Sequence, residues 1–153
     1  MSARRPVLLR DLPSLDATRA LAEAVADLLR PGDGVLLAGP LGAGKSEFAR
    51  ALIRRLAADP ALEVPSPSYT LLQTYPTRLG PVHHFDLWRL DGPGPLAELG
   101  WEAARADIVV VEWPDRLGGL SPPDALCVEL HPSGANSRRA VVSGWPERIG
   151  RIA

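Results

Sequence analysis

Apolar residues along the chain follow two rhythms, one helical and one of short continuous runs. Residues 16–30, DATRALAEAVADLLR, place Leu21, Val25, Leu28 and Leu29 at helical spacing. That pattern predicts a helix with Asp16 as N-cap and Pro31-Gly32 as its stop. Gly34 to Ala38, GVLLA, is an unbroken apolar run between turn residues, as expected of a strand buried on both faces. From Lys45 to Ala58, Phe48, Leu52, Ile53 and Leu56 recur at three and four, giving a helix that Pro60 prevents from continuing.

The middle of the chain reads as β structure. Tyr69 to Tyr75 and Val82 to Leu90 are rich in aromatic and β-branched residues, and Pro76 to Pro81 forms the turn of a predicted hairpin. Asp91 to Pro95 is a loop by turn chemistry, and helix formers resume from Leu96 to Arg105. Ile108 to Val111 is a second fully apolar strand, ending at Glu112. Two further strands are predicted at Ala125 to Leu130 and Arg139 to Val142, and residues 144–153 read as a peripheral tail. No internal repeat is visible.

A length of 153 residues suits one domain, 1–153, with its core at about 7–143. The 17 basic and 18 acidic side chains nearly cancel, so the basic excess of a protein that grips nucleic acid through its phosphates is absent. Any RNA involved is expected to be held by a partner. Cys127, the only cysteine, has no intrachain disulfide partner and reads as a small buried hydrophobe. Arg4 and Arg5 precede no apolar leader core, and no apolar run reaches about 18 residues, which predicts a cytoplasmic protein without a membrane span.

The basic residues are 16 arginines and one lysine, and the single lysine, Lys45, lies inside GPLGAGKS at Gly39 to Ser46. Glycines at 39, 42 and 44 permit a tight turn whose N–H groups point at phosphate oxygens, and the helix that follows adds its positive end. Lys45 would reach the β- and γ-phosphates, where a compact ammonium fits and a planar guanidinium does not. The Ser46 hydroxyl would ligate Mg²⁺. Strand, loop and helix follow in the required order. They predict an α/β fold of the P-loop NTPase type: three layers with a central, mostly parallel sheet and an antiparallel hairpin.

Such a site also needs an acid at the end of a neighbouring apolar strand to hold the metal. Glu112 fits, although a strand can equally end in a solvated glutamate. Asp86 is a second candidate, and alone it suits a turn or an ion pair as well. His83 and His84 point to opposite faces of a strand and so cannot readily chelate one ion; a structural role is expected for His83. Ser66-Pro-Ser-Tyr-Thr70 could sense a γ-phosphate or simply turn the chain into a strand. Trp101 and Trp113 suit either the core or a contact with nucleotide or partner.

GPLGAGKS at 39–46, SPSYTLLQTY at 66–75, HFDLWRL at 84–90, ELGWE at 98–102 and VEWPDRL at 111–117 together resemble the bacterial TsaE (YjeE) family, in order and spacing. The resemblance spans roughly residues 7–143. It implies an ATPase that works with TsaD and TsaB homologues in making threonylcarbamoyladenosine beside the anticodon of tRNAs reading codons that begin with adenine. ATP binding and hydrolysis would support assembly and multiple turnover rather than the transfer itself, with tRNA reached only through the complex. By matching positions, Leu41, Gly42, Ala43, Gly44, Lys45 and Ser46 would contact phosphates, Ser46 and Glu112 would bind magnesium, and Asp86 would assist them. Thr18 would lie near the nucleotide, and Thr70 in the switch-like loop would join Lys45, Glu112 and Asp86 in catalysis.

Pro40, Ser46, Glu47, Ser68 and Trp88 depart from the residues usual in the family. Only Glu47 gives pause, since a carboxylate near the phosphates could lower affinity. Two other readings compete: a small-molecule kinase with Asp86 as acceptor-side base, and a nucleotide-gated binding module without chemistry of its own. Asp91 to Pro95 is too short for a kinase lid.

Overall fold

The computed structural model describes residues 7–152, so Arg4 and Arg5 lie outside it. Seven strands form one sheet in the order β1-β7-β6-β2-β5-β4-β3. They are β1 (Val7–Leu12), β2 (Gly34–Ala38), β3 (Leu72–Thr77), β4 (Gly80–Asp86), β5 (Ile108–Glu112), β6 (Leu126–Pro132) and β7 (Arg138–Ser143). The four central strands, β6-β2-β5-β4, run parallel, while the flanks are antiparallel: β1 and β7 on one side, the β3–β4 hairpin on the other.

The continuous apolar runs of β2 and β5 are explained by layers on both faces. Val35, Leu37, Ile108 and Val110 face the cluster under α1 (Leu15–Ala26) and α2 (Lys45–Ala57). Leu36, Val109 and Val111 face a second cluster with Phe85, Leu87, Trp101 and Leu117. Successive strand residues alternate between faces, so both faces must be apolar when both are covered. Phe85 and Trp101 meet edge to face at 5.1 Å in that second cluster. Cys127 is only partly buried against it, short of the full burial expected.

Several expectations shift by a few residues. The first helix spans Leu15–Ala26, and Ser14 rather than Asp16 caps it, accepting from Ala17 N at 3.1 Å. The hairpin ladder continues through Pro76↔Pro81 and Thr77↔Gly80, leaving Arg78-Leu79 as the turn. Pro76 is tolerated because β3 is an edge strand, and Pro81 precedes the β4–β5 ladder, which starts at Val82. β4 stops at Asp86 instead of running to Leu90. The helix expected over Leu96 to Arg105 is divided: a 3₁₀ turn at Gly94–Leu96, then α3 (Trp101–Ala104). Gly100 between them has φ 79°, incompatible with a continuous helix.

Two segments were not legible. Val7–Leu12 pairs with β7 along its whole length, and the tail is not peripheral, since Trp145, Ile149 and Ile152 are buried in the larger cluster. Arg148 fixes that tail by bonding Asp33 at 2.7 Å and the Leu28 carbonyl at 2.7 Å, with its guanidinium 4.0 Å from the centre of the Trp145 ring. Among the described residues, no helix is long and apolar enough to cross a membrane.

Candidate active site

The parallel strands β2, β4 and β5 end at one edge of the sheet, where open α/β sheets place their ligands. The chain leaves β2 at Gly39, whose φ of 143° suits glycine, and a Cβ there would run into the Leu130 carbonyl oxygen. It enters α2 through Gly44 at φ 101°, and no side chain caps the first turn. The opening N–H groups of a helix have no partners within it, so this end is free to receive an anion. Beside it lies a cavity of about 400 Å³ lined by Leu41 through Glu47, Ser66, Ser68, Asp86, Trp88, Glu112 and Trp113.

Six polar or charged residues are buried in the described structure, and all but Thr18 cluster around this loop: Lys45, His84, Asp86, Glu112 and Arg138. Lys45 donates to the carbonyls of Gly39 (2.5 Å) and Pro40 (3.3 Å), with its ammonium 3.6 Å from the centre of the Trp113 ring. Burial pushes this ammonium below its usual range, opposed by the carboxylates of Glu112, Asp86 and Asp115. Trp113 reaches the site because it turns left-handed at φ 60° immediately after β5. It thus belongs to the cavity wall, whereas Trp101 belongs to the core.

Glu112 is not a solvated strand end: it is 2% exposed. One of its oxygens accepts from Ser46 Oγ at 3.0 Å and the other from His84 Nε2 at 2.7 Å. A carboxylate oxygen only accepts, so Nε2 carries the hydrogen in this contact. Asp86 stands opposite Glu112 across the β4–β5 ladder. Its Oδ2 accepts from Ser66 (2.8 Å) and Ser68 (3.1 Å), and its Oδ1 from the Trp88 N–H (3.2 Å). The hydroxyl-rich loop is therefore tied to the strand end by one carboxylate. Ser66 and Ser68 carry this contact, while Thr70 is exposed and does not line the cavity.

Thr18 also stands apart. It is buried in α1 with its hydroxyl 3.5 Å from the Ser14 carbonyl and does not line the cavity. His83 has the expected structural role, bonding Thr74 and Asp107 at 2.9 Å each. The Glu47 carboxylate is occupied by Arg19 (2.6 Å) and Arg50 (2.9 Å), which offsets the charge it adds beside the loop. A larger groove of about 810 Å³ runs between α1 and α2, but its charges are largely consumed in pairs such as these and Arg55–Asp27 at 3.0 Å.

Two site residues lay beyond sequence reasoning. In the sequence His84 reads only as half of a histidine pair, and its contact with Glu112 depends on parallel β4–β5 pairing. Arg138 was one arginine among 16 in the chain, and its bonds to the loop span 95 residues.

Comparison with known proteins shows which family the chain belongs to. The family model described as "Threonylcarbamoyl adenosine biosynthesis protein TsaE" matches residues 12–141. A tRNA threonylcarbamoyladenosine biosynthesis protein TsaE from Rickettsia felis is 37% identical over 124 residues, covering 80% of this chain and 72% of that protein. The protein of the same name from Aquifex aeolicus is 33% identical over 128 residues, covering 84% of this chain and 90% of its own. The crystal structure of Bacillus subtilis YdiB superposes with a TM-score of 0.77 over 99% of this chain and 94% of that one, at 22% identity, a likeness of fold. With the family model spanning most of its length and these relatives above 30% identity, the chain belongs to the TsaE family of tRNA threonylcarbamoyladenosine biosynthesis proteins.

Proposed function

We propose that this protein binds ATP with Mg²⁺ and hydrolyses it as an accessory ATPase for threonylcarbamoylation of the adenosine beside the anticodon, in tRNAs reading codons that begin with adenine. It acts in the cytoplasm with TsaD and TsaB homologues, which hold the tRNA. The observation that carries this reading is the convergence on one cavity of the glycine-rich loop, the chain's only lysine, and the strand-end acids Glu112 and Asp86.

In this reading the backbone from Leu41 to Ser46 cradles the phosphates and Lys45 neutralises them, exchanging its bonds to the Gly39 and Pro40 carbonyls for phosphate oxygens. Ser46 and Glu112, with Asp86 beside them, would hold the metal. The donor set fits a hard oxygen-seeking ion: hydroxyl and carboxylate oxygens only. Among the described residues no group of three or more His, Cys, Asp or Glu forms a ready-made metal cluster, so phosphate and water oxygens would complete the shell. When bound, Mg²⁺ would offset charge on the phosphates. His84 holds the Glu112 carboxylate toward Ser46.

Hydrolysis is expected to depend on partners. Fast P-loop ATPases position a water and bring an arginine to the γ-phosphate, an element worth about 10³ to 10⁵ in rate. Here no arginine lines the cavity among the described residues; Arg89 lies over the Tyr69 ring at 4.2 Å and Arg116 pairs with Asp115 at 3.1 Å. Gln73, the only glutamine, is in the edge strand β3 and does not line the cavity either. The test compares ATP turnover by the protein alone and with the TsaD–TsaB complex. A rise of at least several-fold is expected. Turnover already at the level of the complex, and indifferent to added partners, would contradict the reading.

A further inference from the structure

Arg138 opens β7, in the antiparallel flank of the sheet, yet its side chain reaches the phosphate loop. It is buried, and among the described residues no carboxylate pairs with it. Its partners are all backbone carbonyls. Nε donates to Ala43 O at 2.7 Å and Nη2 to Gly42 O at 3.2 Å, while Nη1 donates to Ser137 O at 2.8 Å and Gly134 O at 3.3 Å. Gly44 packs directly against the guanidinium, since a Cβ there would touch Arg138 Nε at an ordinary 3.4 Å.

A buried guanidinium keeps its charge, and taking that charge out of water is costly when no anion faces it. A staple between two loops needs no charge. The charge acquires a use when the two peptides it grips are followed to their other side. In a trans peptide the C=O and the N–H point in opposite directions. With Ala43 O turned to Arg138, the N–H of Gly44, in the same peptide, points away from it. With Gly42 O likewise held, the Ala43 N–H points across the loop, where it meets Pro40 O at 3.1 Å. A charged donor on a carbonyl also polarises the peptide, making the N–H at its far end a stronger donor.

We infer that Arg138 is a positioning residue of the anion site: through the Ala43–Gly44 peptide it aims and polarises the Gly44 N–H toward a polyphosphate, while its bond to Gly42 O keeps the Ala43 N–H on Pro40 O and so fixes the turn of the loop. The inference rests on the nucleotide-binding reading above and deepens it. It also accounts for a buried cation without a carboxylate, because the phosphates on the far side of the loop supply the opposite charge.

The test titrates ATP and inorganic tripolyphosphate into the full-length wild type, Arg138→Met, Arg138→Lys and Arg148→Met, each below the melting temperature measured for it. Arg138→Met should lose about tenfold or more in affinity for both ligands, the loss expected when charge-assisted bonds to the loop are removed. Arg138→Lys keeps the charge but cannot fork between two carbonyls, and should fall between Arg138→Met and wild type. Arg148→Met, which removes another arginine mostly withdrawn from solvent, one bound to Asp33 and Leu28, should keep wild-type affinity. In ligand-free protein, the Gly44 amide resonance should move in Arg138→Met and stay in Arg148→Met. A folded Arg138→Met that binds both ligands as wild type does, with Gly44 unmoved, overturns the inference and leaves nucleotide binding standing. If Arg138→Met does not fold, Arg138→Lys decides, and wild-type affinity there overturns the inference. Failure of the wild type to bind either ligand removes the nucleotide reading and this inference with it.

Discussion

Replacing Glu112 separates what its carboxylate holds together from what it does. The side chain is 2% exposed, and its two oxygens take hydrogens from Ser46 (3.0 Å) and His84 (2.7 Å). Glu112→Gln keeps the shape and one acceptor oxygen but loses the charge, so a charge-assisted bond falls to a neutral one, a cost of about 1 kcal/mol. In a chain of this size that is roughly 2–4 °C in Tm. Glu112→Ala leaves the Ser46 hydroxyl and the buried His84 ring without their acceptor, at about 2–4 kcal/mol. The two variants should therefore differ clearly in thermal melts.

In the proposed chemistry they should look alike, because each removes the anionic metal ligand. Both should retain most ATP binding, which depends on the loop and Lys45. Both should require about tenfold or more Mg²⁺ for half-maximal hydrolysis in the presence of TsaD–TsaB, since a hard cation loses a charged oxygen. The assay is a Mg²⁺ titration of turnover alongside the melts. Wild-type turnover by Glu112→Gln across the titration would move the metal role to Asp86. Equal melting temperatures for Gln and Ala would show that the Glu112–His84 contact contributes nothing to stability.

Lys45→Ala should abolish nucleotide binding, since the chain has no other lysine and no arginine lines the cavity among the described residues; unchanged ATP affinity in a titration would sink the phosphate-loop assignment. Trp145→Ala should cost about 3–5 kcal/mol in denaturant unfolding, because the ring is 4% exposed in the main cluster. A change within about 0.5 kcal/mol, usual for surface positions, would return the tail to the periphery. Burial pushes the Tyr75 phenol above its ordinary value of 10.0. Above that value the unfolded chain has lost a proton that the folded chain keeps, so stability should fall as pH rises through the window just above 10.0. Spectrophotometric titration of Tyr69→Phe, which leaves Tyr75 as the only phenol, should place its ionisation above that value.

What could be read from the sequence was local. The strand at 34–38, the loop at 39–46 and the helix from Lys45 are specified by neighbouring residues, so periodicity and glycine placement suffice. Glu112 and Asp86 were legible as strand ends, but their burial and their bonds to His84, Ser66 and Ser68 come from the pairing of β4 with β5 and the return of the 66–68 loop. The helix expected over 96–105 failed where Gly100 adopts φ 79°, a conformation the apolar pattern does not reveal. β1 alternates in exposure, but two of its three outward residues, Val7 and Leu9, are apolar and its inward Arg10 is charged, so its sequence does not alternate as a half-buried strand usually does. The family resemblance supplied Thr18 and Thr70 as site residues, and neither touches the cavity.

The spacing of the two acids is counted, not built. Asp86 faces Glu112 because Val82 faces Ile108 four steps earlier, and every intervening pair keeps that register. The register is locked by the core: sliding β5 by one residue would turn Val109 and Val111 toward the helices α1 and α2, and Ile108 and Val110 away from them. The exposed turn from Asp91 to Pro93, within the connection between β4 and β5, could therefore lengthen or shorten without altering the gap between the carboxylates. One residue inserted between Ile108 and Val111 would move Glu112 off its place opposite Asp86, or drive the valines into the wrong layer. The tolerance of this site to insertion should thus be high in its loops and nearly zero in a strand that carries only one of its residues.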